Sequence, residues 1–371
     1  MSAASAARGA SPGTTTAASP YRVMVVDDSA VIRGLLTRAL EAAGDISVVT
    51  SAGNGRIALD ALERYDIELV LLDVAMPVMD GLAALPLMMK ARPNLKVVIV
   101  SSLTRSGALV TLKALAAGAA DYVTKPTSAA LAAGDAFRRE LIAKVRALVE
   151  AQRANGTIPA ARAAASTTSV ALRPLPSVPP QAIAIGSSTG GPVALYRIVA
   201  ALKQGVRQPI FITQHMPATF TAIFADHLTR ASGLAAAEGV DGEAVIGGRL
   251  YVAPGEHHMR IERGERGPVI RLDQGPAENY CRPSVDPMLR SLADIYGGGL
   301  LAIILTGMGH DGLAGARAVV AAGGAVVAQN QATSIVWGMP GAVASAGLAS
   351  AVLPIDEIGP FLAGLGRGRA P

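Results

Sequence analysis

The feature that most constrains the fold is an alternation of strand and helix that repeats five times between Tyr21 and about Glu150. The apolar segments RVMVVDD, ISVVTSA, IELVLLDV, KVVIVSS and DYVTKP are each followed by a helical stretch. Strands that alternate with helices pair in parallel through right-handed crossovers. The pattern therefore predicts a doubly wound α/β domain over residues 21–148.

A second α/β pattern fills the C-terminal half of the chain. Strands are predicted at Ala182–Gly186, Ile210–Gln214, Leu300–Leu305 and Ala325–Gln329, with helices that begin at Pro192 and Leu313. The stretch from Gly248 to Gly275 alternates apolar and polar residues around glycine-rich turns, which is typical of antiparallel strands. Over residues 182–367 we predict a doubly wound, mostly parallel α/β/α sandwich with an antiparallel edge.

The segments outside these two domains have compositions that do not build a core. Residues 149–181 are rich in proline and small polar residues, which predicts a linker. Residues 1–20 lack the apolar stretch of a signal peptide, so we predict a disordered tail. No apolar run approaches the roughly 18 residues needed to cross a bilayer. We expect a cytoplasmic protein without membrane insertion.

The composition of the 371 residues argues against nucleic-acid binding. Aromatic residues supply only 4%, too few for stacking on single strands. The 33 lysines and arginines exceed the 28 acidic residues only slightly, and their excess is scattered through the flanking segments. Cys281 is the only cysteine, which excludes an internal disulfide, and we expect it to be a bystander.

Charged and polar side chains end four strands of the first predicted sheet. Asp27 and Asp28 follow the first strand, Asp73 the third, Ser101 the fourth and Lys125 the fifth. Functional groups collect at the carboxyl ends of parallel strands. Clustered carboxylates favour a hard cation such as Mg²⁺. With metal and lysine to hold phosphoryl oxygens, Asp73 can act as the nucleophile that accepts a phosphoryl group.

This half resembles a response-regulator receiver domain through the segments VVDDS, LLDVAMPVMDG, VSSLT and DYVTKP. The resemblance implies a flavodoxin-like (βα)5 fold and phosphorylation of Asp73 by a histidine kinase. The implied Mg²⁺ ligands are Asp27, Asp28, Asp73 and the backbone carbonyl of Ala75. The residues implied to report and stabilise the phosphorylated state are Ser101, Tyr122 and Lys125.

The second half opens with a serine-containing turn between a strand and a helix. Gly186–Gly190 reads GSSTG, which matches the G-x-S-x-G pattern of a nucleophile elbow with Ser188 at its centre. Backbone N–H groups at the start of the following helix can hold an oxyanion. A phosphate-binding turn and a purely structural turn remain alternatives, although the lysine of G-K-[ST] and the spacing of G-x-G-x-x-G are absent.

A serine nucleophile needs a base, and the base works best beside a buried carboxylate. His215 ends the strand IFITQH and so falls at the same sheet edge as Ser188. Asp311, in the turn TGMGHDG after another strand, is the predicted acid, with Asp286 as the alternative. Three strand ends are thereby predicted to supply a Ser-His-Asp group.

This half resembles the catalytic domain of chemotaxis protein-glutamate methylesterases, through IGSSTGGP, TQHMP, LYVAPGEHHM, RPSVDPML, LTGMGHDG and VWGMPGAV. The resemblance implies a triad of Ser188, His215 and Asp311. It also implies that Thr189 and the backbone at Met308 shape the oxyanion pocket, and that this domain uses no cofactor.

The pairing of the two domains implies demethylation of glutamate methyl esters, and deamidation of glutamines, on the cytoplasmic helices of chemoreceptors. We expect the unphosphorylated receiver to pack over the triad and phosphorylation to shift the chain to an open form. The alternatives are a binding module that relays the receiver signal to DNA or a protein, and a phosphate-binding enzyme.

Overall fold

The computed structural model describes residues 19–125, 135–156, 171–175, 179–202 and 206–365. Most of the predicted tail and much of the predicted linker lie outside these residues. None of the helices within the described ranges has the length and apolarity required to span a bilayer.

The N-terminal unit is built on a five-stranded parallel sheet with the order β2-β1-β3-β4-β5. Its strands are β1 (Tyr21–Val26), β2 (Ile46–Ala52), β3 (Leu69–Asp73), β4 (Lys96–Ser101) and β5 (Asp121–Thr124). Its helices are α1 (Ala30–Glu41), α2 (Gly55–Arg64), α3 (Gly81–Ala91), α4 (Arg105–Ala116) and α5 (Asp135–Gly156). The predicted doubly wound, flavodoxin-like fold is confirmed.

Side-chain caps fix where the first four helices begin. In each case the side chain of the N-cap residue accepts a hydrogen bond from the backbone N–H three positions later, which satisfies a donor that the helix itself leaves unpaired. The four capping residues are Ser29, Asn54, Asp80 and Thr104. The helices therefore start directly after the strand-end loops that carry the candidate functional residues.

Helix α5 runs beyond residue 148, the predicted end of the N-terminal domain. Near its end, Arg153 forms an ion pair of 2.7 Å with Glu68, and its guanidinium lies over the ring of Tyr21. These contacts hold the last turns of α5 against the N-terminal unit, so part of the segment predicted as linker is helical.

The C-terminal unit is built on a seven-stranded sheet with the order β14-β13-β12-β6-β7-β9-β8, in which all pairs are parallel. Its strands are β6 (Ala182–Ser187), β7 (Ile210–Gln214), β8 (Ala235–Glu238), β9 (Arg249–Val252), β12 (Leu300–Ile304), β13 (Ala325–Gln329) and β14 (Ala351–Leu353). Two further strands, β10 (His258–Gly264) and β11 (Gly267–Asp273), form a separate antiparallel hairpin.

The antiparallel strands predicted between Gly248 and Gly275 are therefore confirmed only for the hairpin. Arg249–Val252 instead pairs in parallel with β7 and β8. The local sequence did not indicate the parallel arrangement, because the strands that pair with Arg249–Val252 lie elsewhere in the chain.

Helices cover both faces of the seven-stranded sheet. They are α6 (Gly191–Ala200), α7 (Ala218–Ser232), α8 (Val285–Tyr296), α9 (Leu313–Ala321), α10 (Met339–Ser345) and α11 (Ile355–Leu365). The predicted α/β/α sandwich is confirmed.

The two units share a continuous apolar core. Helix α4 packs against α6 and α7, and buried residues from both units form one hydrophobic cluster. At this junction the ring of Tyr122, from β5, stacks on that of Phe220, from α7, with 4.9 Å between ring centroids. The junction lies close to the strand ends that carry Ser188.

Candidate active site and phosphorylation site

Three neighbouring strands bring the predicted triad residues to one edge of the C-terminal sheet. Strand β6 lies between β7 and β12, and Ser188 follows β6 directly. The N–H of His215 donates to the carbonyl of Ser187 at 3.2 Å, and the N–H of Ser188 donates to the carbonyl of Thr306 at 3.1 Å. These backbone bonds tie the end of β6 to the ends of both neighbouring strands.

The imidazole of His215 and the carboxylate of Asp311 are in direct contact. His215 Nε2 lies 2.7 Å from Asp311 Oδ2. The other ring nitrogen, Nδ1, lies 3.3 Å from the sulfur of Cys281. The Ser188 hydroxyl, which is half-buried, makes no hydrogen bond to His215 among the described residues. The structure thus pairs the predicted base and acid and places the predicted nucleophile on the adjacent strand end.

The carboxylate of Asp311 lies at the N-terminus of helix α8. It accepts hydrogen bonds from the N–H groups of Val285 and Asp286, and from the hydroxyl of Ser284 at 2.7 Å. Unpaired N–H groups at a helix start stabilise an anion. Burial disfavours the charged carboxylate, but His215 and these donors outweigh it and lower the pKa of Asp311 to about 2. Asp311 is therefore a fixed, ionised partner for the ring.

The environment of His215 favours its protonated form. Burial works against the charged ring, but the hydrogen bonds with Asp311 and Cys281 outweigh it and raise the pKa of His215 to about 10. A ring held in this way keeps its orientation, and it must release its proton before it can act as a base.

A left-handed glycine and a buried glutamine shape the turn that carries Ser188. Gly190 has a φ of 77°, and a Cβ added there would lie 2.7 Å from the side chain of Ile335. Gln214 accepts a hydrogen bond from the Ser187 hydroxyl at 2.6 Å and donates to the carbonyl of Ser188 at 3.0 Å. The turn is thus fixed on both sides of the serine.

The two predicted oxyanion-pocket residues lie against the N-terminal unit. The hydroxyl of Thr189 donates to the carboxylate of Asp121, the first residue of β5, at 2.7 Å. Asp121 also forms an ion pair of 3.2 Å with Lys144 of α5. The Met308 side chain packs against a core cluster composed mainly of residues from the N-terminal unit. The N-terminal unit therefore covers one side of the pocket.

The alternative acid, Asp286, does not contact the imidazole. Its carboxylate accepts hydrogen bonds from the N–H of Gly315 at 2.6 Å and from Asn279 at 2.9 Å. Burial and the neighbouring Asp311 raise the pKa of Asp286. Asp286 therefore braces helix α8 against α9.

At the carboxyl edge of the N-terminal sheet, the predicted carboxylates and lysine come together. Lys125 Nζ lies 2.9 Å from both Asp27 Oδ2 and Asp73 Oδ2. Carboxylate oxygens of Asp27, Asp28 and Asp73 lie within 4.8 Å of one another. This all-oxygen cluster fits a Mg²⁺ ion. Within this cluster the carboxylate of Asp28 is exposed, so an incoming phosphoryl donor can reach the site.

Electrostatics at this edge also favour a cation. Burial and the neighbouring Asp27 raise the pKa of Asp73, although Lys125 opposes the shift. A divalent ion would stabilise the charged carboxylates together. The predicted carbonyl ligand belongs to the exposed Ala75 in the loop after β3.

The two remaining predicted switch residues lie on neighbouring strands. The hydroxyl of Ser101, at the end of β4, donates to carbonyls of the following loop and of α4. Tyr122 lies in the junction between the two units, where it stacks on Phe220.

Several residues of the site were missed by the sequence analysis. Gln214 adjoins His215, but nothing in its spacing indicates that it holds Ser188. Ser284 lies in the RPSVDPML motif, but the motif does not indicate its bond to Asp311. Asn279 donates to Asp311 Oδ1 at 2.9 Å from a separate loop. The contact of Asp121 with Thr189 joins two domains, so no local pattern could indicate it.

The sequence models of two protein families match the chain. Residues 183–362 match the family described as CheB methylesterase. Residues 23–133 match the response regulator receiver domain.

Relatives with assigned names match over nearly the whole length of the chain. A protein-glutamate methylesterase/protein-glutamine glutaminase of group 2 operon from Rhodospirillum centenum is 51% identical, over 97% of this chain and 99% of its own. A protein-glutamate methylesterase/protein-glutamine glutaminase from Paramagnetospirillum magneticum is 54% identical, over 94% of this chain and 97% of its own. The CheB methylesterase catalytic domain of Thermotoga maritima, a crystal structure, is 40% identical with a TM-score of 0.49, over 51% of this chain and 100% of its own.

Proposed function

Because the chain belongs to the CheB methylesterase family and carries a receiver domain, we propose that it demethylates glutamate methyl esters and deamidates glutamines on chemoreceptors. It acts in the cytoplasm on the cytoplasmic helices of these receptors, and a chemotaxis histidine kinase controls it through the receiver.

The reaction is an acyl transfer through Ser188. The Ser188 oxygen attacks the ester carbonyl while its proton passes to His215 Nδ1, the ring nitrogen that is not bonded to Asp311. The tetrahedral intermediate collapses, the ring returns the proton to the leaving oxygen, and methanol departs. Water, deprotonated by the same nitrogen, then releases the glutamate carboxylate. With a glutamine substrate the leaving group is ammonia. The hydrogen bond between His215 and Asp311 beside the Ser188 strand end is the observation that carries this proposal.

The Thr189 hydroxyl and the backbone at Met308 stabilise the oxyanion of the tetrahedral intermediate. A hydrogen-bond donor aimed at the developing charge contributes only when it is free to turn toward it. In the docked arrangement the Thr189 hydroxyl is bonded to Asp121, and the carboxylate of Asp121 opposes negative charge nearby. Docking of the receiver therefore inhibits the esterase.

Phosphorylation of Asp73 weakens this docking. Asp27, Asp28, Asp73 and the carbonyl of Ala75 would hold Mg²⁺, which would supply positive charge for the phosphoryl group. Lys125, which contacts Asp27 and Asp73, would bind the phosphoryl oxygens. Ser101 and Tyr122 respond to the phosphorylated aspartate. Since Tyr122 stacks on Phe220 and follows Asp121 in the chain, a change at Tyr122 loosens both contacts to the catalytic unit.

Methanol release from methylated receptor membranes tests the activity. We expect Ser188→Ala to reduce release by about 10⁴-fold or more, because the nucleophile is lost. Ser106→Ala, at an exposed receiver serine, is the matched control and should behave as wild type. An active Ser188→Ala enzyme would refute the mechanism.

A further inference from the structure

A short turn beside the candidate triad has an unusual backbone conformation. The N–H and carbonyl groups of Glu278 and Cys281 are hydrogen-bonded to each other at 3.2 Å and 2.9 Å, which closes a two-residue turn. The central residues, Asn279 and Tyr280, have φ angles of 53° and 63°. Turns of this kind favour glycine, because a side chain in the left-handed region is strained. We call residues 278–281 the Tyr280 turn.

The Tyr280 turn is anchored to the candidate active site on both sides of its aromatic residue. Before it, Asn279 Nδ2 donates to Asp286 Oδ2 and Asp311 Oδ1, both at 2.9 Å. After it, the sulfur of Cys281 lies 3.3 Å from His215 Nδ1. These contacts leave the turn little freedom to relax.

An ion pair holds the base of the turn. Both carboxylate oxygens of Glu278 bind Arg290 of helix α8, at 2.6 Å and 2.8 Å. The turn is therefore a rigid element whose position depends on the same helix that holds Asp311.

The ring of Tyr280 makes no contact within the described residues that would offset this backbone strain. Its side chain is fully exposed, and it takes part in no hydrogen bond or ring contact within the described residues. Glycine would adopt the same backbone without strain and lose no internal contact. A strained residue on a rigid support beside an active site points to a role in binding.

We propose that Tyr280 is a substrate-contacting specificity residue, whose ring packs against the receptor helix that presents the glutamate ester. This inference rests on the proposed function. Tyr280 is bonded to Cys281, which contacts the catalytic ring, so its Cα lies about 3.8 Å from that of Cys281. An aromatic ring with a polar tip suits a helix surface that is apolar near the ester and wet beyond it.

The position of the ring makes this contact independent of the receiver. The receiver contacts the predicted pocket at Thr189, through Asp121. The Tyr280 side chain is fully exposed while the receiver is docked, so no receiver residue covers it. Its contribution to binding should therefore be the same in the phosphorylated and unphosphorylated chains.

The test compares two substrates in the full chain. We expect Tyr280→Gly to raise KM for methylated receptor membranes about tenfold, the effect of losing one aromatic contact. The same variant should hydrolyse a small substrate, the γ-methyl ester of N-acetylglutamate, as wild type does. It should also unfold at a higher temperature than wild type, because the strain is relieved, so misfolding cannot explain the loss. Tyr65→Ala, at an exposed receiver tyrosine, is the control.

A binding measurement separates this inference from the proposed function. Co-sedimentation with methylated receptor membranes compares Ser188→Ala with the double variant Ser188→Ala/Tyr280→Gly, and we expect the double variant to bind about tenfold more weakly. Equal binding of the two, or equal KM values for wild type and Tyr280→Gly, would overturn the role of Tyr280. Undiminished hydrolysis by Ser188→Ala would instead overturn the esterase mechanism.

Discussion

At the scale of single residues, the chemistry depends on what surrounds the His215 ring. Asp311 is held ionised by the start of helix α8, and it bonds the Nε2 of the ring. Cys281, expected to be a bystander, lies against Nδ1, the nitrogen that we propose accepts the Ser188 proton. In the docked arrangement Asp311 therefore orients the ring through Nε2, and the sulfur of Cys281 occupies the hydrogen-bonding position at Nδ1.

The dependence of kcat/KM on pH tests how Asp311 and Cys281 affect the pKa of the His215 ring. A base must be neutral to act, and Asp311 and Cys281 favour the protonated ring. We therefore expect kcat/KM to rise with pH through a midpoint above the usual histidine pKa of about 6.5. Removing the sulfur removes one cause of the shift, so Cys281→Ala should move this midpoint to lower pH.

We would compare the midpoints of the profiles of kcat/KM against pH for three proteins: wild type, Cys281→Ala and Cys281→Ser. The serine variant keeps a hydrogen-bonding group beside Nδ1, so its midpoint should lie between the other two. Coincident midpoints for wild type and Cys281→Ala would show that the sulfur does not act on the ring.

At the scale of elements, the strand-to-helix turn after β6 positions Ser188, the proposed nucleophile. Gly190 adopts a left-handed conformation there, and its missing side chain leaves room for Ile335. Both properties are needed for the chain to turn directly after Ser188 and Thr189 into helix α6.

Gly190→Ala tests the turn. We expect it to lower the free energy of unfolding by about 1–2 kcal/mol for the backbone strain and about 1–3 kcal/mol for the clash with Ile335. Gly233→Ala is the matched control: Gly233 has a φ of 73°, but a Cβ there meets no atom within 4 Å. Urea denaturation of the full chain measures both variants, and equal losses would contradict the packing argument.

The sequence predicts elements and strand ends well because hydrophobic period and turn residues are local signals. The positions of Ser188, His215 and Asp311 at one edge follow from parallel topology alone. The parallel pairing of β9 was missed because the direction of pairing depends on its partners, β7 and β8, and not on its own sequence. The extension of α5 was missed because Arg153 is stabilised by Glu68, 85 residues away. Likewise, the roles of Asn279 and Cys281 depend on contacts between loops that are distant in sequence.

At the scale of the whole molecule, the proposed regulation and the proposed catalysis meet at one docking surface. Tyr122 stacks on Phe220, and its neighbour Asp121 is bonded to Thr189. A full shift from a closed to an open form, from 1:99 to 99:1, requires about 5.5 kcal/mol. A single phosphoryl group at Asp73 can therefore act by weakening a few such contacts.

The most direct test of this account is methanol release from methylated receptor membranes by unphosphorylated full-length Asp121→Ala. Loss of this carboxylate frees the Thr189 hydroxyl, so we expect release to be about tenfold faster than wild type or more, the effect of one lost hydrogen bond to a charged group. Phosphorylation of Asp73 by a small phosphodonor checks that the receiver remains folded. Adding Ser188→Ala should abolish the release. Release by Asp121→Ala no faster than wild type, or persisting without Ser188, would contradict the account.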